Sequence, residues 1–269
     1  MNAHLPHHPD VSPTVLRRRA ADFLADLLFC YGEAAVTRGH SLLWRGCFRT
    51  PAAQRSAIWR LRRKGILTVA RSRDGRRVLR LGRNHDAPAA LCPEKHWKKS
   101  WDGWWRLLVY DVPENERAFR NGLRKFLYRL RMGYLQHSVW ISPWDIRPDY
   151  ADLQTTMDIH TVSVLFEART VLGRKSSDLV LQAWDFEHLS DVQRAYIATS
   201  EAHLKELQSR PITRARVEAL ARQEIIDYLH AMEFDPLLPR KLLPADYHGF
   251  AAYEQHSLVV QQVRRHLGL

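Results

Sequence analysis

Apolar side chains recur at helical spacing over residues 20–31, where Phe23, Leu24, Leu27, Leu28 and Tyr31 share one broad stripe and Gly32 follows as a stop. A short second helix is expected around His40 to Trp44, closed near Gly46. Thr50-Pro51 then supplies a capping hydroxyl and a proline for the first helical position, so a third helix starts there and ends at Gly65. Its inward face is Ala57, Ile58 and Leu61. Residues 66–71 and 76–81 predict two strands, and the Asp74-Gly75 pair between them predicts a hairpin turn.

Residues 82–100 read as a linker that carries Gly82, Asn84, Pro88 and Pro93 and ends in the basic run Lys95-His96-Trp97-Lys98-Lys99. An apolar strand is expected over residues 106–111, stopped by Pro113. An amphipathic helix follows over residues 114–130, facing a core through Phe119, Leu123, Phe126, Leu127 and Leu130, with Gly133 as its end. Strand-like runs recur at residues 138–141 and 161–166, with a helix at residues 150–157 between them. This order, β-α-β and then α-β, predicts a small ferredoxin-like domain. The remainder is helical, over residues 189–207, 213–232 and 249–267, interrupted by a proline-punctuated connector at residues 234–247.

The fold class expected is therefore a multidomain α+β chain: a tail at residues 1–19, a winged helix-turn-helix at 20–83, a linker at 84–100, a ferredoxin-like α/β domain at 101–185 and a helical C-terminal domain at 186–269.

Charge sharpens this division. Residues 1–100 carry 20 of the 41 Lys and Arg but 7 of the 29 Asp and Glu, a balance of +13, which leaves −1 for residues 101–269. A basic module joined to a neutral body points to a polyanion as partner. The helix from residue 50 to 64 explains where the charge goes. Ser56, Trp59, Arg60 and Arg63 are the residues expected to face bases in a major groove. Arg55, Arg62, Lys64 and the hairpin arginines Arg73, Arg76 and Arg77 are those expected to hold phosphates, with Arg71 beside them.

Other chemistry is thinly represented. Cys30, Cys47 and Cys92 are too widely spaced for a zinc site or a disulfide framework, and a reducing cytoplasm is expected. No apolar run is long enough to span a membrane, and the polar start of the chain reads as a tail without a secretory signal. His4, His7 and His8 lie in that tail, away from any H-E-x-x-H spacing, and no G-x-S-x-G elbow or phosphate-binding glycine loop occurs. No catalytic residue is assigned. Trp97, Trp101, Trp104, Trp105, Trp140 and Trp144 gather around Lys95, Lys98, Lys99 and Arg106. They can either pack the core or stack a flat ligand whose phosphates the cations hold.

Three segments resemble the PaaX family, the repressors named for bacterial phenylacetate catabolism. They are the basic helix from Arg55 to Leu67, the pair Trp101–Pro113 and Gly133–Pro143, and the stretch Asp235–Asp246, in that order along most of the chain. The resemblance implies a winged helix, a central domain like the small nuclease-like subunit of the CRISPR adaptation complex, and a helical C-terminal domain. It further implies a homodimer that represses from double-stranded operator DNA and is released by an acyl-CoA effector such as phenylacetyl-CoA, its binding residues unassigned. Asp111 corresponds to the strand-end aspartate that the CRISPR subunit uses to hold a divalent metal. Capping the turn before Val112-Pro113 is the competing role for Asp111, with no second carboxylate nearby in sequence. A metal-dependent nuclease and a nucleic-acid adaptor are the alternative functions.

Overall fold

Helix α1, Ala20–Tyr31, is the first element that the computed structural model describes; the described residues are 20–31, 50–71, 75, 77–82, 88–157, 159–171, 173–209 and 211–268. The helix expected near residue 40, the N-terminal tail, Cys47, Arg73 and Arg76 lie outside them. Among the described residues the chain is mixed α and β, with two sheets. Its described residues divide into two compact units, one formed by Pro93–Ser190 with Phe234–Tyr247, the other by the described residues from Ala20 up to Cys92 with Asp191–Glu233 and those from His248 on.

The first unit opens on the short helix α3, Glu94–Trp97, and is built on strands β3 (Trp105–Tyr110), β4 (Gly133–Gln136), β5 (Val139–Ser142) and β6 (Ser163–Ala168). These lie in the order β4-β5-β3-β6, antiparallel throughout, with α4 (Arg117–Arg129) after β3 and α5 (Arg147–Met157) after β5. This is the connectivity of a split β-α-β motif. Alternation along β3 explains the two cores. Leu108 and Tyr110 join Leu123 and Leu127 of α4, Trp140, Leu153 and Ile159 on one side. On the other side Trp105 and Ile141 meet Leu179, Val180, Ala183 and Trp184, and Leu238 and Leu242 complete the cluster. Each such leucine taken from water stabilises the fold by about 1.5–3 kcal/mol.

Helix α6, Ser176–Ala183, had no counterpart in the sequence pattern, and it is what covers β4. Gly133, expected to end a helix, begins that strand instead. A Cβ there would lie 2.7 Å from both Ala183 Cβ and the Trp184 ring. The connector at residues 234–247 is likewise part of this unit's core. Asp235 is fully buried, with its carboxylate accepting from the Leu237 N–H at 2.8 Å and from the Tyr247 hydroxyl. Its carbonyl accepts from the guanidinium of Arg131.

In the second unit α2 (Pro51–Arg63) is followed by the hairpin β1 (Leu67–Arg71) and β2 (Arg77–Leu81), and α7 (Phe186–Gln208, from Asp191 on), α8 (Arg214–Ala231) and α9 (Gly249–Leu267) form a helical group. Helix α1 packs on α2 and β2 and also on α8 and α9. Arg264 of α9 fastens it by donating to the Cys30 carbonyl at 3.1 Å. The helices meet around a buried polar knot. Glu224 accepts from the Tyr196 hydroxyl at 2.8 Å and lies 2.7 Å from His256 Nδ1. His256 stacks on Tyr228 with ring centroids 3.9 Å apart, and the Tyr228 hydroxyl donates to the Ala90 carbonyl at 2.7 Å. Burial, reinforced by the Glu224 charge, pushes the Tyr31 and Tyr196 phenols well above their ordinary range. Among the described residues no helix is long and apolar enough to cross a membrane.

Candidate nucleic-acid interface

The Thr50 hydroxyl accepts from the Ala53 N–H at 3.1 Å, and Pro51 occupies the first turn, so α2 starts where its cap demands. Ala57 and Leu61 are buried against the second unit's core, with Ile58 half-buried at their edge. With 3.6 residues per turn, the opposite line of the helix passes through Ser56, Trp59 and Arg63. Arg60 lies on one flank; Arg55 and Arg62 lie on the other. All six are exposed, as is Lys64 at the C-cap. Trp59 keeps 57% of its surface in contact with solvent, a rare position for an indole. Arg63 sets its guanidinium 5.3 Å from the centre of that ring, which orients both side chains along one face.

No Asp or Glu occurs between Pro51 and Arg71. The first turn of α2 therefore lacks the acids that usually favour a helix N-terminus, while Arg60, Arg62 and Arg63 crowd its last turn. The hairpin extends the same charge. In its register Thr68 faces Arg80 and Arg71 faces Arg77 across the strands, and Arg71 and Arg80 are exposed. Arg80 was not among the expected contacts. Its signal was available in the alternation of residues 77–81, which sets it opposite in phase to Leu79 and Leu81. For Arg77 the structure describes the strand position, and for Gly75 the positive φ of 80° that a tight hairpin turn requires.

The end of the hairpin is clamped to the end of the helix. Gly65 ends α2 with a φ of 70°, and Gly82 donates its N–H to the Ile66 carbonyl at 2.7 Å. A Cβ on Gly82 would stand 1.9 Å from the Gly65 carbonyl oxygen, which is backbone and cannot swing away. We expect Gly82→Ala to lower stability by roughly 1–3 kcal/mol, as overpacking does, and thermal denaturation would register it. An unchanged midpoint would refute the clamp.

The first unit resolves the tryptophan and arginine cluster. Arg106 is buried and forked: its guanidinium donates to Asp102 at 2.6 and 2.9 Å, to Glu167 at 3.0 Å and to the Pro143 carbonyl at 3.3 Å. The hydrogen bond from Arg106 holds the Asp102 carboxyl below the usual carboxylate range. This arginine is committed to structure. Trp97 packs edge-on against Tyr247 and Trp140 edge-on between Tyr128 and Tyr134, while Trp101 lies tilted against Trp105. Trp104 and Trp144 each carry a cation over the ring, Arg169 at 4.6 Å and Lys99 at 4.8 Å. Asp111 is exposed just beyond β3, its N–H donating to the Val162 carbonyl at 2.8 Å. Among the described residues no three His, Cys, Asp or Glu side chains are grouped to hold a metal ion.

Comparison with known proteins adds the following. Residues 98–180 match the family model described as PaaX protein central Cas2-like domain, and residues 184–267 match that described as PaaX-like protein C-terminal domain. Among solved structures, the uncharacterized protein Rv0674 from Mycobacterium tuberculosis is similar over 93% of this chain and 99% of its own, with a TM-score of 0.54 and 23% identity, a likeness of fold. A search of curated proteins found no match.

Proposed function

The chain belongs to the PaaX family, and from that premise we propose that it is a PaaX-type regulator, a sequence-specific DNA-binding transcriptional repressor. The observation that carries this reading is the outer face of α2. Ser56, Trp59, Arg60 and Arg63 project from a helix anchored on its other side by Ala57 and Leu61, with no carboxylate to cancel the charge. In this reading residues 20–83 are a winged helix-turn-helix whose α2 enters the major groove. Arg55, Arg62, Lys64 and the hairpin arginines Arg73, Arg76 and Arg77 then hold phosphates on either side. The protein acts as a homodimer on a two-fold operator, and an acyl-CoA such as phenylacetyl-CoA releases it.

A gel-shift titration with the DNA upstream of the protein's own gene, against excess random DNA, tests the proposal. A preference of at least ~10³-fold for that DNA is expected of a specific repressor, with release by phenylacetyl-CoA and none by free CoA. Equal competition by random DNA would replace the repressor with a nucleic-acid adaptor. Mg²⁺-dependent cleavage that Asp111→Asn abolishes would replace it with a nuclease.

A further inference from the structure

The two edges of the four-stranded sheet are unlike. At one edge β4 is four residues long, its register with β5 is broken between Tyr134 and Gln136, and α6 packs on it. Short length, irregular register and a covering helix are devices that keep an edge from pairing further. At the other edge β6 has none of them among the described residues. It is six residues long, holds no proline, and keeps an unbroken register with β3 from Trp105↔Ala168 to Tyr110↔Ser163. Val164 and Phe166 are 53% and 52% exposed, on the face where Val109 and Val139 continue the apolar row. Large apolar side chains on an unprotected edge mark a place where another strand adds.

The backbone shows which groups are open. Tyr110 donates its N–H to the Ser138 carbonyl, toward β5, and Asp111 donates its N–H to the Val162 carbonyl, toward β6. Antiparallel residues alternate in direction, so Ser163, Leu165 and Glu167 turn their N–H and C=O groups to the free edge. The Tyr150 hydroxyl reaches one of these, the Ser163 carbonyl. A second copy of the same strand fits this edge. Placed antiparallel about a two-fold axis at Leu165, the strand pairs Leu165 with itself and Glu167 with Ser163 of the other copy. All three open residues are then matched at once, and Val164 lies against Phe166 of the other copy on both sides of the axis, an aromatic and β-branched pair. Moving the axis to Val164 or Phe166 leaves Glu167 or Ser163 without a partner in the strand. Charge agrees with the pairing. Glu167 is the one charged residue of β6, Arg106 holds it at 3.0 Å, and it faces a serine across the axis instead of a second carboxylate.

We propose that β6 is the surface through which two copies of this chain join, edge to edge, making their two sheets one. The inference rests on the homodimer of the preceding reading and names its surface and register, independently of α2.

Two double variants test both. In Val164→Lys/Phe166→Lys each new lysine faces a lysine of the other copy; in Val164→Lys/Phe166→Glu it faces a glutamate. Both replace the same two exposed side chains, so they differ in cross-strand charge alone, and circular dichroism would check that each folds. Sedimentation equilibrium of the full chain without DNA gives the dissociation constants. We expect a dimeric parent, a Lys/Lys variant that is monomeric at the same concentration, and a Lys/Glu variant that dimerises at least about tenfold more tightly than Lys/Lys, since like charges opposed on two sides become opposite ones. Added salt should narrow that gap. A dimeric parent with equal dissociation constants for the two variants would mean that the dimer forms elsewhere and that β6 is left to an extended segment of another protein. That result overturns this surface and leaves the homodimer. A monomeric parent would overturn both.

Discussion

Arg60→Ala/Arg63→Ala should leave the chain folded and lower its affinity for operator DNA by about 2–6 kcal/mol, because each side chain is assigned to a base edge worth roughly 1–3 kcal/mol. Both residues are exposed on the outer face of α2, and such surface changes alter stability by only about ±0.5 kcal/mol. The loss should be concentrated on the operator, with binding to random DNA far less affected. Arg55→Ala and Arg62→Ala form the contrasting pair. As phosphate contacts they should weaken operator and random DNA alike and each reduce the salt slope by about one unit. If about six phosphates are neutralised, the parent's log–log slope is about −5. Fluorescence anisotropy across a salt series would separate the two groups. A double variant that binds operator as tightly as the parent, or a parent slope near zero, would remove α2 from the groove.

Glu224→Ala should cost the second unit about 3–5 kcal/mol, the usual penalty for removing one partner of a buried pair. The carboxylate is completely buried and receives the Tyr196 hydroxyl while contacting His256 Nδ1, so its deletion leaves two polar groups in the interior without an acceptor. Tyr196→Phe removes one donor only and should cost about 1 kcal/mol. Thermal denaturation gives the order of the two variants. A double-mutant cycle of Glu224 with His256 should return a coupling of about 1 kcal/mol or more. Additive single effects, or a Glu224→Ala midpoint equal to the parent's, would mean that the knot contributes nothing to stability. Helix α1 is fastened to the same group through Arg264, so loosening the knot should also speed amide exchange in α1.

Local chemistry made part of this protein legible without any coordinates. The stripe over α1, the Thr50-Pro51 cap, the Gly65 stop and the Asp74-Gly75 turn each concern neighbours within a few residues, and the structure has α1, α2 and the hairpin where those signals stand. The same holds for α8 and α9, whose long periodic patterns need no partner to be recognised. Which residues of α2 face outward was readable for the same reason, since helical phase separates Ala57 and Leu61 from Trp59 and Arg63. The gathering of positive charge in the first hundred residues is a property of composition alone.

Distance in sequence hid the rest. Strand β4 has only four residues and opens on a glycine that resembles a helix stop; it is a strand because Trp140 and Ile141 pair with it and α6 closes over it. Helix α6 is too short for its periodicity to speak, and residues 234–247 look like a surface connector until Leu238 and Leu242 are seen beside Trp105. The fate of each charge was decided in the same way. Arg106 looks like a phosphate ligand in sequence, but Glu167, 61 positions away, joins Asp102 in taking its donors. Among the described residues Lys99 has no such acid and meets Trp144 instead. Periodicity and capping are energies between near neighbours, and the chain spells them out. Strand pairing, burial of polar groups and the pairing of charges depend on which distant segments meet, and only the assembled fold brings them together.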